Sequence, residues 1–356
     1  MTNKGAKLSL LPFASAKIET RTVLRKEAEA RQALAELKGF APVIPNKNIL
    51  ISAIALQEAK ESSAIENIVT TQDEIYKNLT MTPYTYDPAV KEVINYREAI
   101  YMGYNIIRKK QLIRINDIKN IQETVVENTA GIRRLPGTSL VNDTTHEVVY
   151  IPPQDYHEIR DLLDNFCRYF NNDESSLWKM AVLHYQFESI HPFYDGNGRT
   201  GRILNILYLL LKNYLDTPIL YLSSYIIKNK NDYYSLLQEV RKKRIYEPWI
   251  LYILDGIEET SKQTLKKIQA IKDLLESTLE KVRVKCPRIY SKELVEMIFE
   301  NPYSKIDFLV NKLSINRKTA SKYLKELEAI KILSHLRVGK EMLYINTALM
   351  EVLKTS

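Results

Sequence analysis

The sequence predicts a mainly α-helical protein with one short β-hairpin and a C-terminal winged helix-turn-helix module. Three observations predict it. Apolar residues recur at helical spacing through most of the 356-residue chain. Alternating, β-type patterning is confined to two stretches, each next to turn-forming residues. Glycine occurs only ten times, far below the roughly 7% average, so few helices are interrupted.

Asn48 to Asn67 reads as a helix, with Ile51, Ile54, Ala55 and Ala59 on one face. Asp87-Pro88 opens a second helix to about Arg108, and Ile115 to Asn128 reads as a third. Gly131 to Pro153 differs. It carries Gly, Pro and Asn-Asp turn signals around the β-type run Glu147-Val-Val-Tyr-Ile151, and reads as a hairpin or extended flap. Three helices follow, Asp155 to Phe170, Leu177 to Ser189 and Asn197 to Leu215, then another near Asp232 to Arg244. Ile257 to about Val284 is amphipathic, with Ile268, Leu275, Leu279 and Val282 as its apolar stripe, and reads as a bridge between domains. After it come short helices over Pro287 to Glu300, Lys305 to Leu313 and Asn316 to Ile330. An alternating segment from Ile332 to Ile345 then turns at Gly339-Lys340. The expected division is an N-terminal region over 1–86, a core over 87–256, a linker helix over 257–284 and a C-terminal domain over 285–356.

Composition narrows the function classes. Hydrophobic residues make up 45% and charged residues 26% of the chain, as in an ordinary folded protein. The longest apolar stretch, Ile203 to Leu211, is broken by Asn205 and too short to span a bilayer; no membrane partner and a cytoplasmic location are expected. Cys167 and Cys286 stand far apart, which excludes a disulfide framework or a cysteine zinc site. The net charge of +8 is uneven: Arg283 to Ser356 holds 14 Lys and Arg against 8 Asp and Glu, which suits an anionic partner for that part.

The densest chemistry lies in His191-Pro-Phe-Tyr-Asp-Gly-Asn-Gly-Arg-Thr-Gly-Arg202. In a glycine-poor chain, Gly196, Gly198 and Gly201 fall within six positions and lead into an apolar helix. A glycine loop opening a helix presents unpaired N–H groups and the positive dipole end, a phosphate site. Arg199 and Arg202, three apart, share one face of the first turn and suit a polyphosphate. Asp195 is placed to hold Mg²⁺ beside phosphates, and His191 to act as a general base for a hydroxyl. The plain alternative is a glycine-rich cap with two surface arginines. His184, two turns before His191, reads as a core histidine rather than a ligand.

This stretch resembles the signature of the Fic family, whose members are mostly AMP transferases acting on protein hydroxyls. The preceding Leu183 to Ile190 is similar to the helix that leads into that motif. The resemblance implies a Fic-type helical core with ATP and Mg²⁺ as cofactors. In that reading His191 deprotonates a target Tyr, Ser or Thr, and Asp195 binds Mg²⁺. Gly196, Asn197 and Gly198 form an anion hole. Arg199 contacts the polyphosphate, Thr200 and Gly201 complete the nucleotide loop, and Arg202 holds the γ-phosphate. Val148, Val149 and Tyr150 resemble the flap that pins a target peptide by strand addition, and Tyr234, beside Tyr233, lies where relatives line the adenine pocket. Ser62 to Glu66, followed by Asn67, looks like the family's inhibitory motif. Four residues apart on a helix, Ser62 and Glu66 face one side, and the Glu66 carboxylate would pair with Arg202 in place of the γ-phosphate.

In the C-terminal module Asn316 to Ile330 is the expected recognition helix. Ala320, Leu324 and Leu327 form its buried stripe; Arg317, Lys318, Ser321, Lys322 and Lys325 face outward, and Arg337 and Lys340 sit on the wing. DNA is the expected partner there, with a protein-docking or dimerising role as the alternative. The expected activity is therefore an AMP transferase acting on a target protein hydroxyl and on itself, inhibited by Glu66. The alternatives are another nucleotide donor, removal as well as addition of AMP, or an ATP-sensing DNA-binding regulator. Many Fic proteins dimerise, so the resemblance leaves a homodimer open.

Overall fold

A computed structural model describes residues 5–44, 46–81, 87–142 and 145–354. Helix α1 (Arg21–Phe40) is followed by α2 (Lys47–Ile65), α3 (Gln72–Thr80), α4 (Pro88–Lys110) and α5 (Ile115–Val126). Strands β1 (Leu140–Val141) and β2 (Val148–Tyr150) form the flap, antiparallel with Leu140 opposite Tyr150. Then come α6 (Tyr156–Asn171), α7 (Leu177–Ile190), α8 (Asn197–Leu211), α9 (Ser223–Lys228), α10 (Lys230–Lys243) and α11 (Glu247–Lys285). The C-terminal module comprises α12 (Lys292–Glu300), β3 (Tyr303–Ser304), α13 (Ile306–Leu313), α14 (Arg317–Ala329), β4 (Ser334–Val338), β5 (Glu341–Ile345) and α15 (Thr347–Lys354). Its antiparallel sheet runs in the order β3-β5-β4.

The mainly α fold with small antiparallel sheets is as expected, and so are most elements. Two helix starts illustrate the local causes. Asp87 accepts a hydrogen bond from the Ala89 N–H at 2.8 Å ahead of Pro88. Thr71 and Glu74 form a reciprocal capping box on α3. Every residue of α7 is buried, which marks it as the central helix of the core. Three differences are physical. The long helix begins at Glu247, ten residues before the expected Ile257, because its first turns carry Trp249, Ile250, Ile253 and Leu254 buried on several sides, which hides a one-sided stripe. Helix α8 stops at Leu211 rather than Leu215, where Asn213 takes φ +58°. Helices α1, α3, α9 and α15 have no counterpart in the sequence reading.

Helix α1 lies along α11, where Lys26 reaches Asp255 and Glu258 at 2.5 Å. The C-terminal module packs onto α2 and α3. Asn46 Nδ2, at the N-cap of α2, donates to Glu300 on α12 at 2.6 Å. Thr80 Oγ1 donates to the Tyr303 carbonyl at 3.1 Å, and the Tyr303 hydroxyl donates to Asp73 at 3.1 Å. Among the described residues no helix is long and apolar enough to cross a membrane.

Candidate active site

Helix α7 ends at His191, which takes a left-handed backbone, φ +47°. The loop that follows reverses the chain and α8 begins at Asn197. Gly196 is its N-cap at φ +77°, and a methyl there would come within 2.6 Å of Val126, so both conformation and space demand glycine. Asn197 folds back onto the loop: its Oδ1 accepts from the Phe193 N–H at 2.9 Å and its Nδ2 donates to the Phe193 carbonyl at 2.8 Å. Asp195 Oδ1 accepts from the Gly196 N–H at 2.6 Å and from Arg199 at 3.2 Å.

A cavity of about 930 Å³ opens before the N-terminus of α8. Among the residues that line it are His191, Gly198, Arg202, Glu66, Tyr234 and Val149, and also Asn231, Gln238, Arg241 and Glu188. Such a volume suits a nucleotide-sized ligand. Arg202 projects into it and is held by α2. Its Nε donates to Ser62 Oγ at 2.7 Å, and its Nη2 donates to the Ser62 carbonyl at 3.0 Å and to Glu66 Oε1 at 2.8 Å. A methyl on Gly198 would collide with the Glu66 carboxylate, so this glycine leaves the space that Glu66 occupies. Burial pushes the Glu66 carboxyl up, but Arg202 overcomes this by charge and hydrogen bond, and the group lies below its ordinary value.

The other predicted residues are placed differently. Arg199 pairs with Glu92 of α4 and with Asp195 instead of lining the cavity. Thr200 is fully buried. Gly201 does not face the cavity: a methyl there would meet Glu188 at 2.8 Å and Phe187 at 3.2 Å, so its role is close packing of α8 on α7. On the flap Val148 is 56% and Val149 39% exposed, while Tyr150 turns inward and its hydroxyl donates to the Ser189 carbonyl at 2.9 Å. Asp143 and Thr144, between the two flap strands in sequence, lie outside the described residues. His184 is a core residue, its Nε2 2.8 Å from the Tyr233 hydroxyl and its Nδ1 3.2 Å from Asn205.

Four residues escaped the sequence reading. Glu58 lies on the same face of α2 as Ser62 and Glu66, one turn earlier. Fully buried, it accepts from the Ser223 N–H at 3.0 Å and from the Tyr96 hydroxyl at 3.2 Å, fastening α2 to α9 and α4; burial raises its carboxyl. Arg241 lies over the Tyr150 ring at 3.9 Å and donates to the Glu188 carbonyl at 3.1 Å. Glu188 is pushed up to about 7 by burial, with Arg202 opposing and Glu66 reinforcing the rise. Arg133, buried behind the loop, completes the set. The four-residue spacing Glu58-Ser62-Glu66 was the one available signal. His191 itself is pushed down to about 3 by burial, with Arg241 and Arg133 adding to the effect, so its imidazole is neutral at physiological pH.

Comparison with known proteins places this geometry. The Fic/DOC family model matches residues 112–209 and the Fic/DOC family N-terminal model residues 24–105, together about half of the chain. The C-terminal domain of SoFic-like protein adenylyltransferases matches residues 274–349. The protein adenylyltransferase Fic of Aedes aegypti is 26% identical over 164 residues, 45% of this chain and 31% of that protein. That of Drosophila melanogaster is 27% identical over the same length and shares. The chain thus aligns with about a third of the length of these curated relatives. Among solved structures, a Fic family protein from Desulfovibrio desulfuricans G20 has a TM-score of 0.60 at 17% identity, over 95% of this chain and 98% of that one. A Fic domain containing signaling protein from Bacteroides thetaiotaomicron has a TM-score of 0.55 at 17% identity, over 68% and 97%. These two likenesses speak to the fold.

Proposed function

We propose, from the premise that this chain belongs to the Fic family, that it is a protein adenylyltransferase which moves AMP from ATP to a hydroxyl of a target protein and is held inactive by Glu66. The observation that carries this reading is the Arg202–Glu66 pair at 2.8 Å, set in a nucleotide-sized cavity that His191 also lines.

The residues divide the work as follows. Neutral His191 accepts the proton of the target hydroxyl as that oxygen bonds to the α-phosphorus; the bond from that phosphorus to the bridging oxygen breaks and its electrons leave with diphosphate. The N–H groups at the start of α8 receive charge on the phosphates, and Arg202 is the cation for the terminal phosphate. The exposed flap edge at Val148 and Val149 would align a target backbone, and Tyr234 would border the base. Asp195, 68% exposed beside the loop, fits a Mg²⁺ held by one carboxylate together with phosphates. Such an ion supplies charge neutralisation of the leaving diphosphate. Anionic phosphates entering the cavity would also raise the His191 basicity from its low value toward neutrality.

Inhibition follows from geometry. With Glu66 on Arg202, the cation for the terminal phosphate is already paired. The sign of its pH dependence is fixed. Because the Glu66 carboxyl lies below its ordinary value, the pair persists above that lowered value and is lost only as pH falls through it. Wild type is therefore expected to remain silent down to about pH 5; activation between pH 7 and pH 5 would show that something other than this pair restrains it.

The direct test is intact-protein mass after incubation with ATP and Mg²⁺, for wild type, Glu66→Gly and Glu66→Gly/His191→Ala. The expected result is an AMP adduct in Glu66→Gly alone. No adduct in any form, even with cell lysate as a source of targets and labelled ATP as donor, would refute the assignment.

A further inference from the structure

Arg133 is fully buried, yet among the described residues no ion pair joins it to a carboxylate, and what bears on its charge is burial, then Tyr194 and Tyr150. A desolvated guanidinium is costly unless its donors are used. Its Nε and Nη2 donors go to backbone carbonyls of two segments, while Nη1 has no partner among the described residues. Nε donates to the His191 carbonyl at 2.8 Å; Nη2 donates to the Ile190 carbonyl at 3.3 Å and to that of Pro153. The Arg133 N–H donates to the Pro192 carbonyl at 2.9 Å, and Ile132 bridges to Phe193. Arg133 stands where the chain enters the flap and Pro153 where it leaves, so one guanidinium ties both roots of the flap to the last turn of α7.

The carbonyl it holds belongs to His191, a non-glycine residue in the left-handed region. Such a conformation persists when its surroundings over-determine it. Arg133 does not line the cavity, so it does not meet a bound nucleotide. Its charge nevertheless reaches the imidazole: burial, Arg241 and then Arg133 lower His191, while Glu66 opposes them. Glu188 contributes a carboxyl on the preceding turn of α7.

We propose that Arg133 is a positioning residue for the transfer reaction: it couples the seat of the target-binding flap to the backbone of His191 and adds a positive charge near the imidazole. The proposal rests on the reading of His191 as the base. The two functions separate chemically. A lysine keeps the charge but loses the planar fork that reaches three carbonyls, whereas a glutamine loses the charge as well.

The experiment uses the full chain carrying Glu66→Gly, alone and with Arg133→Lys, Arg133→Gln or His191→Ala. It measures ATP affinity, self-modification turnover, and the His191 titration by histidine-selective NMR with His184 as internal reference. Both Arg133 variants are expected to keep ATP affinity within about twofold and to lose roughly 100-fold in turnover, the scale of a small misplacement of a reacting group. In Arg133→Gln the His191 titration and the acid limb of the rate profile move to higher pH; in Arg133→Lys they stay. Unchanged turnover in Arg133→Lys overturns the positioning role, and an unmoved His191 titration in a folded Arg133→Gln overturns the electrostatic one. If the glutamine variant does not fold, the lysine variant decides alone. Undiminished transfer in Glu66→Gly/His191→Ala would instead remove the base assignment, an outcome distinct from either.

Discussion

Arg202 and Lys322 are both helical cations facing a carboxylate, and they are held in different ways. Arg202 is 2% exposed, and its partner Glu66 comes from 136 residues away. Lys322 is 66% exposed, and its partner Glu326 lies four residues along the same helix at 3.7 Å. The same contrast covers their regions. In the cavity the pairing depends on the tertiary fold: Glu58 pins α2, Ser62 and Glu66 descend from it, and Arg202 rises from α8 to meet them. On the outer face of α14, Arg317 and Asp307 pair at 2.5 Å with side chains 72% and 53% exposed. Pairs of that kind are screened and worth ~0–1 kcal/mol. A buried guanidinium cannot lose its partner so cheaply, and that asymmetry is what makes the cavity pair suitable as a lock and the α14 pairs merely a solvated surface.

The contrast is broken most severely at Arg202. Replacing it with alanine in a Glu66→Gly background removes the cation assigned to the terminal phosphate, and charge-assisted hydrogen bonds contribute about 1.5–3 kcal/mol each. ATP affinity should fall on the order of 10- to 100-fold, measured by calorimetry with an ATP analogue that cannot transfer AMP, while AMP alone should bind as before. Equal losses for both ligands would place Arg202 elsewhere than the terminal phosphate.

A smaller effect is expected at Ser62. Its hydroxyl accepts from Arg202 Nε at 2.7 Å, but its carbonyl, which a substitution retains, accepts from Nη2. Ser62→Ala should therefore loosen the lock without opening it, raising wild-type self-modification by roughly 3- to 10-fold, in line with one hydrogen bond of about 1 kcal/mol. Activation as large as that of Glu66→Gly would mean that Ser62 carries the restraint.

The same contrast explains what was legible in the sequence. The loop from His191 to Arg202 was visible because its glycines and charges are adjacent in the chain, and the Ser62-Glu66 spacing because it is local to one helix. The C-terminal hairpin was visible through its alternation. Arg133, Arg241 and Glu188 were not, because each acquires its meaning from burial against segments far away in sequence. Arg133 sits beside Arg134 in an extended segment, one buried and one exposed, and nothing in the pair of letters says which. Gly201 shows the converse. Its neighbours in sequence suggest the nucleotide loop, whereas its Cα packs against Phe187 and Glu188 of α7, a contact that only the tertiary fold creates.

The smallest effect is expected on α14. Its apolar stripe of Ala320, Leu324 and Leu327 is buried, and Lys318, Lys322 and Lys325 lie on the exposed side, along an open groove of about 990 Å³. Replacing these three lysines with glutamine removes only solvated charge, so unfolding free energy should change by at most about 0.5 kcal/mol per site and AMP transfer by Glu66→Gly should be unaffected. If this face meets nucleic acid, duplex DNA binding followed by anisotropy should weaken in the variant, and the slope of log affinity against log salt should flatten by about one for each lysine–phosphate pair removed. A stability loss well beyond that range would instead show that the lysines are structural. A fall in AMP transfer would show that the α14 face communicates with the cavity, through the hydrogen bonds that join Tyr303 to Thr80 and Asp73 on α3, next to the segment that carries Glu66.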